Sequence, residues 1–339
     1  MDKNLPISVL EDLGKEAKIV ITTHHKPDAD AMGSSLGLKN FLVNLGYSPI
    51  VITPTDYAPF LHWMKGDDEV LEYESKEEDS NILIAEADVI FCLDFNDLSR
   101  INHMGDQVQN AKAIKVMIDH HRLPSGFDDF RYWTVNTSST CELVFDLIHD
   151  WGKEEHLDKD VASCLYAGIS SDTGGFKHGN TSSLTHLAAA KLIEKGADNT
   201  DITDRLLDNF SENRTRLIGY SIYKKLEVLP EFRTALITLS AKELEEFKVK
   251  TGDTEGLVNY GLSIQGVIFA ALIIDRTVMV KMSLRSKGNF PCNELASKYF
   301  NGGGHRNASG GASKDTLEGT IKTFKDALIE YKDKLWEEA

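Results

Sequence analysis

An α/β fold built on a parallel sheet covered on both faces, followed by a smaller α/β domain, is what the chain's pattern predicts. Three observations lead there. Short β-branched apolar runs recur at 18–22, 49–53, 89–93 and 115–118. Segments with helical spacing of apolar residues separate them, and strands alternating with helices imply a buried parallel sheet. The 339 residues, 41% hydrophobic, suffice for two domains with cores of their own.

Taken in order, Lys18-Ile19-Val20-Ile21 is the first strand, and Ser34 to Leu45 reads as the helix after it, beginning near Met32. Runs 49–53, 89–93 and 115–118 are the next strands, with another expected at Tyr132 to Val135. Cys141 to Trp151 places Leu143, Val144, Leu147 and Ile148 on one helical face. Leu157 to Ile169 and Ser183 to Lys195 are further helices, the second ended by Gly196. Leu206 to Lys225 reads as a helix leading into the second domain, where 233–239, 266–274 and 277–284 are strands and Thr316 to Trp336 is a terminal helix. The expected boundaries are a first domain at 1–205, a helical linker at 206–230 and a second domain at 231–339, with the two domains facing each other across a cleft. The acidic stretch Asp67 to Asp79 reads as solvated surface.

The exits of the apolar runs carry the chemistry. His24-His25-Lys26-Pro27-Asp28-Ala29-Asp30 follows the first strand, and Asp94 ends the run Val89 to Leu93. Asp119-His120-His121 ends the run from Lys115, and Asp172 lies in Ser171-Asp172-Thr173-Gly174-Gly175. Alone, Asp28 and Asp30 would serve as helix caps, and His120-His121 as an ordinary polar pair. Together they form one set of carboxylate and imidazole donors at the carboxyl ends of strands, where open α/β sheets bind ligands. Such donors suit manganese, magnesium or zinc. Two ions about 3.5–4 Å apart clamp the attacking and leaving oxygens of a phosphoryl transfer and supply hydroxide at neutral pH. Asp94, isolated at a strand end, is the natural bridge. An EF-hand is excluded, because its fifth and twelfth positions would be Met32 and Lys39.

Asp119-His120-His121, with the His24-x-x-x-Asp28-x-Asp30 loop, Asp94 and Asp172, resembles the four-motif signature of the DHH phosphoesterase superfamily. Asn301-Gly302-Gly303-Gly304-His305, followed by Asn307-Ala308-Ser309-Gly310-Gly311, resembles the hallmark of the DHH-associated C-terminal domain. Motif order and length are most similar to the stand-alone subgroup of nanoRNases and pAp phosphatases. The resemblance implies a phosphoesterase that hydrolyses short oligoribonucleotides and 3′-phosphoadenosine 5′-phosphate (pAp) with two divalent ions, manganese foremost and magnesium or zinc compatible. It implies one ion held by His24, Asp28 and Asp94, and the other by Asp30, Asp94, His120 and Asp172. His121 would protonate the departing oxygen or bind the phosphate; Asp119 would orient a histidine; His25 would support a ligand or face the substrate. Arg285 and Ser286, with Gly302, Gly303, Gly304 and His305, would recognise the nucleotide, since a glycine run lets backbone N–H groups approach an anion and arginine forks onto phosphate oxygens.

Related stand-alone proteins act on cyclic-di-AMP or linear pApA, which is the alternative reading. A pyrophosphatase or exopolyphosphatase shares the first domain, but the Gly302–His305 stretch argues against it. A nucleotide binder without turnover would be expected to have lost a ligand such as Asp30 or Asp94, and both are present.

Charge narrows the partners. The formal net charge is −16, all of it in residues 1–230, because 231–339 hold fifteen basic and fifteen acidic residues. That balance excludes duplex DNA held along an extended surface. The basic cluster Arg276, Lys281, Arg285, Lys287, Lys298 and Arg306 fits a short phosphorylated ligand. Four cysteines without a C-x-x-C pair point to a reducing compartment. No signal-peptide core lies in Met1 to Ala17 and the longest apolar run, Val267 to Ile274, is too short to span a bilayer, so a cytoplasmic protein without membrane contact is expected. Walker and dinucleotide fingerprints are absent. A homodimer is left open.

Overall fold

The computed structural model describes residues 5–337. The fully apolar runs become the middle of a six-stranded, wholly parallel sheet: β1 (Ile19–Thr23), β2 (Ile50–Thr53), β3 (Leu71–Glu72), β4 (Val89–Leu93), β5 (Ile114–Asp119) and β6 (Phe130–Trp133). The strand order is β3-β2-β1-β4-β5-β6, every neighbouring pair parallel. Every residue of β1 and β4 is buried, as strands covered on both faces require. Val51, Phe91 and Ile118 face one core with the helices Ala29–Asn44, Thr140–Asp150 and Lys159–Asp172. Ile52, Ile90 and Cys92 face a second with the helices Glu77–Glu86 and Met104–Asn110. The chain runs outward in one direction from β1 and in the other from β4, so the sheet's topological switch point lies between those strands.

The chain divides into two compact units at Asn209/Phe210. The second has its own six-stranded sheet: β7 (Leu226–Leu229), β8 (Thr234–Leu239), β9 (Phe269–Asp275), β10 (Val280–Ser286), β11 (Gly303–His305) and β12 (Ala308–Ser313). Its order is β11-β12-β10-β9-β8-β7, with β8 and β9 parallel and the other pairs antiparallel. The helices Cys292–Tyr299 and Leu317–Glu330 cover one face, and Leu257–Leu262 the other. The α/β reading therefore holds for both units.

Several elements differ from expectation for local reasons. The first long helix starts at Ala29 rather than near Met32, because Asp28 caps it, Oδ1 accepting from the N–H groups of Asp30 and Ala31. Its neighbour runs to Asp172, so that residue stands on the last helical turn instead of in a loop. The continuous helix expected at 206–225 is interrupted: a wide turn closes at Asp208, and Ser211 caps a new helix, Glu212–Tyr220, by accepting from Arg214 N–H. Within the expected linker at 206–230, Leu206 packs in the first unit's core. Leu217 is buried in the second unit's core, and Leu226–Leu229 forms the edge strand of its sheet. Thr277 takes φ +69° in a turn, delaying the next strand to Val280. The terminal helix breaks at Tyr331 into Leu317–Glu330 and Lys332–Glu337.

The acidic stretch is more than solvated surface. Asp67 accepts from the Tyr57 hydroxyl at 2.6 Å, and Glu69 pairs with the buried Lys39 ammonium at 2.7 Å. All four cysteines are buried free thiols. Among the described residues no helix is long and apolar enough to cross a membrane.

Candidate metal centre

His24 leaves β1 and Asp94 leaves β4, the two strands flanking the switch point. A turn bound from both sides holds the His24 loop. His25 donates its backbone N–H to the Arg100 carbonyl at 2.8 Å and places Nδ1 2.9 Å from the same oxygen, while Lys26 N–H donates to Thr55 Oγ1 at 2.7 Å. Lys26 lies at φ +51° and Asp94 at φ +63°, left-handed conformations that cost energy in a non-glycine residue and concentrate at functional sites.

Asp94, 2% exposed, is the hub. Its Oδ2 lies 3.3 Å from His24 Nε2, whose ring also stands 3.8 Å from Asp28 Oδ2. Its Oδ1 lies 3.4 Å from His120 Nε2 and 3.6 Å from His121 Nδ1. His120 Nε2 is in turn 3.5 Å from Asp172 Oδ2 and 3.8 Å from Asp30 Oδ2. The two oxygens of one carboxylate thus point into two donor groups: His24 and Asp28 on one side, Asp30, His120 and Asp172 on the other. Asp119 and His121 form a third group with Asp94, but there the histidine is already engaged, its Nδ1 2.8 Å from Asp119 Oδ1. The six ligand candidates of the first unit, His24, Asp28, Asp30, Asp94, His120 and Asp172, are therefore brought to one place, with Asp119 and His121 beside them.

The donor set fits divalent cations on physical grounds. His24 Nδ1 sits 2.9 Å from the His25 carbonyl oxygen, which only accepts, so the neutral ring carries its proton there and turns the Nε2 lone pair toward Asp94 Oδ2. Two acceptors facing each other at that separation call for positive charge between them. Ligand atoms bound at about 2.1 Å to one ion stand roughly 3 Å apart along an octahedral edge, close to the spacings found here. The electrostatics agree. Burial lowers the pKa of His120, but a hydrogen bond with Asp94 and the charges of Asp172, Asp94 and Asp30 outweigh it and carry the pKa up to about 10. Burial also opposes charge on His24, and the hydrogen bond with Asp94 again raises its pKa. Desolvation pushes the Asp30 and Asp172 carboxyls up, reinforced by repulsion from neighbouring carboxylates. Desolvation would do the same to Asp94, but its hydrogen bonds with His120 and His24 hold it well below the usual range. Asp119 Oδ2 is buried with no hydrogen-bond partner. The pocket gathers carboxylates whose charges repel one another, and a bound cation would relieve that repulsion.

In the second unit, the glycine run is a strand and not an open loop. Gly303, Gly304 and His305 pair with Gly310, Ser309 and Ala308. A Cβ on Gly302 would come within 2.1 Å of the Gly310 carbonyl oxygen, so its glycine is required by the close approach of β12. Arg285 lies half-buried on β10 with Nη1 3.0 Å from the Leu284 carbonyl oxygen. Ser286 is buried, donating its hydroxyl to the Phe290 carbonyl at 2.7 Å and accepting from the Asn307 amide at 2.9 Å; these bonds give it a structural task.

Sequence reasoning missed what holds the acidic ligands. Asp30 Oδ2 accepts from Thr140 N–H at 2.7 Å and Oδ1 from Cys141 N–H at 2.9 Å, at the start of a helix 110 residues away. The Thr140 hydroxyl donates to Asp94 Oδ1 at 2.9 Å. Ser139-x-x-Glu142 is a helix-start signature and could have placed this N-terminus, although nothing local says what it faces. The indole of Trp133 donates to the His121 carbonyl at 2.7 Å and pins the histidine loop to β6.

Fold and site together define a class, and comparison with known proteins agrees. The profile of the DHH family, N-terminal domain, matches residues 18–169, and that of the DHHA1 domain matches residues 234–334. The chain belongs to the DHH family of phosphoesterases, with a DHHA1 domain after the DHH domain. It is similar to the bifunctional oligoribonuclease and PAP phosphatase NrnA of Thermus thermophilus, 30% identical over 299 residues that make up 88% of this chain and 85% of that one. The probable bifunctional oligoribonuclease and PAP phosphatase NrnA of Streptococcus mutans is 29% identical over 302 residues, 88% of this chain and 91% of its own. An exopolyphosphatase-related protein from Bacteroides fragilis has a crystal structure that superposes with a TM-score of 0.93 at 42% identity, over 98% of this chain and 97% of that one.

Proposed function

We propose that the protein hydrolyses short oligoribonucleotides and removes the 3′-phosphate of pAp, using two divalent cations held at the strand ends of the first unit. The observation that carries this reading is the split of Asp94, one carboxylate oxygen toward His24 and the other toward His120. His24, Asp28 and Asp94 would hold one ion, and Asp30, Asp94, His120 and Asp172 the other. Manganese is the expected metal, and magnesium or zinc would suit the same donors. When bound, such a pair activates water and neutralises the charge that develops on the phosphate oxygens.

The chain's own residues supply the rest. Asp119 accepts a hydrogen bond from His121 Nδ1–H and so fixes the tautomer and direction of the ring. In its imidazolium form, with Nδ1–H held by Asp119, His121 would present Nε2–H to the departing ribose oxygen as proton donor or to a phosphate oxygen. Arg285, with Gly302, Gly303, Gly304 and His305 of the second unit, is assigned to the anionic end of the nucleotide. The similarity to two NrnA proteins favours this substrate class. The similarity to the exopolyphosphatase-related protein from Bacteroides fragilis gives a polyphosphatase activity a place in the same test.

The test is manganese-dependent turnover of pAp, a three-nucleotide RNA, linear pApA, cyclic-di-AMP, pyrophosphate and polyphosphate by one preparation. Release from pAp and the short RNA, abolished in Asp94→Ala, is the expected result. Turnover confined to the cyclic dinucleotide, or to pyrophosphate and polyphosphate, would replace this reading with the corresponding one.

A further inference from the structure

We infer that Thr140 is a positioning residue that ties the carboxylates of Asp30 and Asp94 into one rigid pair and thereby sets how Asp94 divides its oxygens between two cations. The inference rests on the two-cation reading above. Thr140 is wholly buried and reaches both acids from a single residue, its N–H to Asp30 Oδ2 at 2.7 Å and its hydroxyl to Asp94 Oδ1 at 2.9 Å. Asp30 stands in the helix Ala29–Asn44 and Asp94 follows β4, so contacts between elements, not adjacency in the chain, fix their separation.

A carboxylate that gives one oxygen to each of two ions must keep its plane turned so that each oxygen faces its own side. Torsion about its terminal single bond is broad and soft in aspartate. The Thr140 hydroxyl removes that freedom at Oδ1, the oxygen nearest His120 and His121. A hydrogen bond to a charged acceptor is among the stronger ones a protein makes.

Thr140 is itself held from several directions. Ser139 Oγ caps the helix by accepting from Glu142 N–H at 3.0 Å. The buried Glu142 carboxylate accepts from Ser138 N–H at 2.9 Å, from the Ser138 hydroxyl and from Thr185 Oγ1 at 3.0 Å. The Asn180 amide donates to the Ser138 carbonyl at 2.8 Å, and the same amide group lies 3.3 Å from the Asp172 carbonyl oxygen. The segment that fixes Asp30 and Asp94 is therefore also fastened to the helix end that presents Asp172. A buried glutamate, a serine cap and an asparagine bridge give the threonine a fixed position from which to orient the ligands.

The test compares Thr140→Val, which keeps shape and backbone N–H but removes the hydroxyl, with Thr140→Ser, which keeps the hydroxyl. Manganese is titrated calorimetrically into the metal-free full-length chain, and the electron paramagnetic resonance spectrum of the loaded protein reports whether two ions are magnetically coupled. The valine variant is expected to lose about 10- to 100-fold in manganese affinity, the range found for partners that orient metal ligands, together with part of the coupled signal. Serine is expected to restore both. Should valine fail to fold, Thr140→Ala takes its place in the comparison. Equal losses in the serine and hydroxyl-free variants would overturn the proposal, because the methyl group would then be what matters, and so would an unchanged affinity and spectrum without the hydroxyl. A wild-type chain that binds no manganese, or an Asp94→Ala variant that binds it undiminished, overturns the two-cation reading itself and is thus told apart from a failure at Thr140.

Discussion

Asp119 accepts from His121 at 2.8 Å, and the pair shows what one neighbour decides about another. A carboxylate in that position has no proton to give, so it selects the Nδ1–H tautomer and leaves Nε2 for chemistry. An asparagine there could turn its amide NH2 to Nδ1 and select the opposite tautomer. Asp119→Asn is therefore expected to lower kcat/KM for pAp by about 10- to 100-fold while leaving the bound manganese per chain unchanged; steady-state kinetics alongside metal analysis would show it. Full activity in this variant would remove His121 from the chemistry. At this scale the sequence was informative where donors cluster within a few positions, as in His24 to Asp30 and Asp119 to His121. It was silent where a contact joins distant segments. Thr140 looks like an ordinary helix-start residue until the fold sets it beside Asp30 and Asp94. Ser286, expected beside Arg285 to contact the ligand, also makes hydrogen bonds with Phe290 and Asn307 that the sequence did not announce.

Between elements, the site depends on how closely two helices approach. A Cβ on Gly168, in the helix Lys159–Asp172, would stand 2.2 Å from Cys141 Sγ, 2.8 Å from Asp30 Oδ1 and 3.0 Å from Asp30 Cα. The last of these cannot be relieved by a side-chain rotation, so the Asp30 helix itself must move. Gly168→Ala is expected to destabilise by about 1–3 kcal/mol, as overpacking does, and to weaken manganese binding along with the fold. Gly219→Ala is the matched control: nothing lies within 4 Å of its Cβ position in the helix Glu212–Tyr220, and alanine there is expected to stabilise slightly. Thermal melts of the two variants decide the matter, and equal shifts would contradict the packing account. Helices and strands with continuous apolar runs were legible in the sequence because burial on both faces writes itself into composition. β11 and β12 were not, since Gly303-Gly304 and Gly310-Gly311 lack every side-chain mark of a strand, and what demands glycine at Gly304 and Gly311 is the close approach of Ala308, Ser309 and Phe300. The break at Asn209–Phe210–Ser211 also escaped notice, because a single serine cap restarts a helix whose apolar spacing otherwise continues.

For the whole molecule, two architectural rules account for where the chemistry lies. A parallel sheet needs crossover connections, which place its helices on both faces and leave the strand ends open. Reversal of strand order between β1 and β4 then separates the loops above them, and His24 and Asp94 occupy that opening. The family resemblance read from four motifs and a glycine-rich stretch extends over both units, as the profile matches at 18–169 and 234–334 show. Division of the chain at Asn209/Phe210 came less readily from sequence. The charge balance differs between the two parts but marks no single residue as the boundary, and membership there is decided by which core Leu217 enters. The first unit alone holds Asp94, the carboxylate that we propose two cations share. Crystals grown with manganese and measured at its absorption edge test that most directly. Two anomalous peaks about 3.5–4 Å apart, one beside His24 and Asp28 and the other beside Asp30, His120 and Asp172, with Asp94 touching both, are the predicted result. A single peak, or two peaks of which only one touches Asp94, would contradict it.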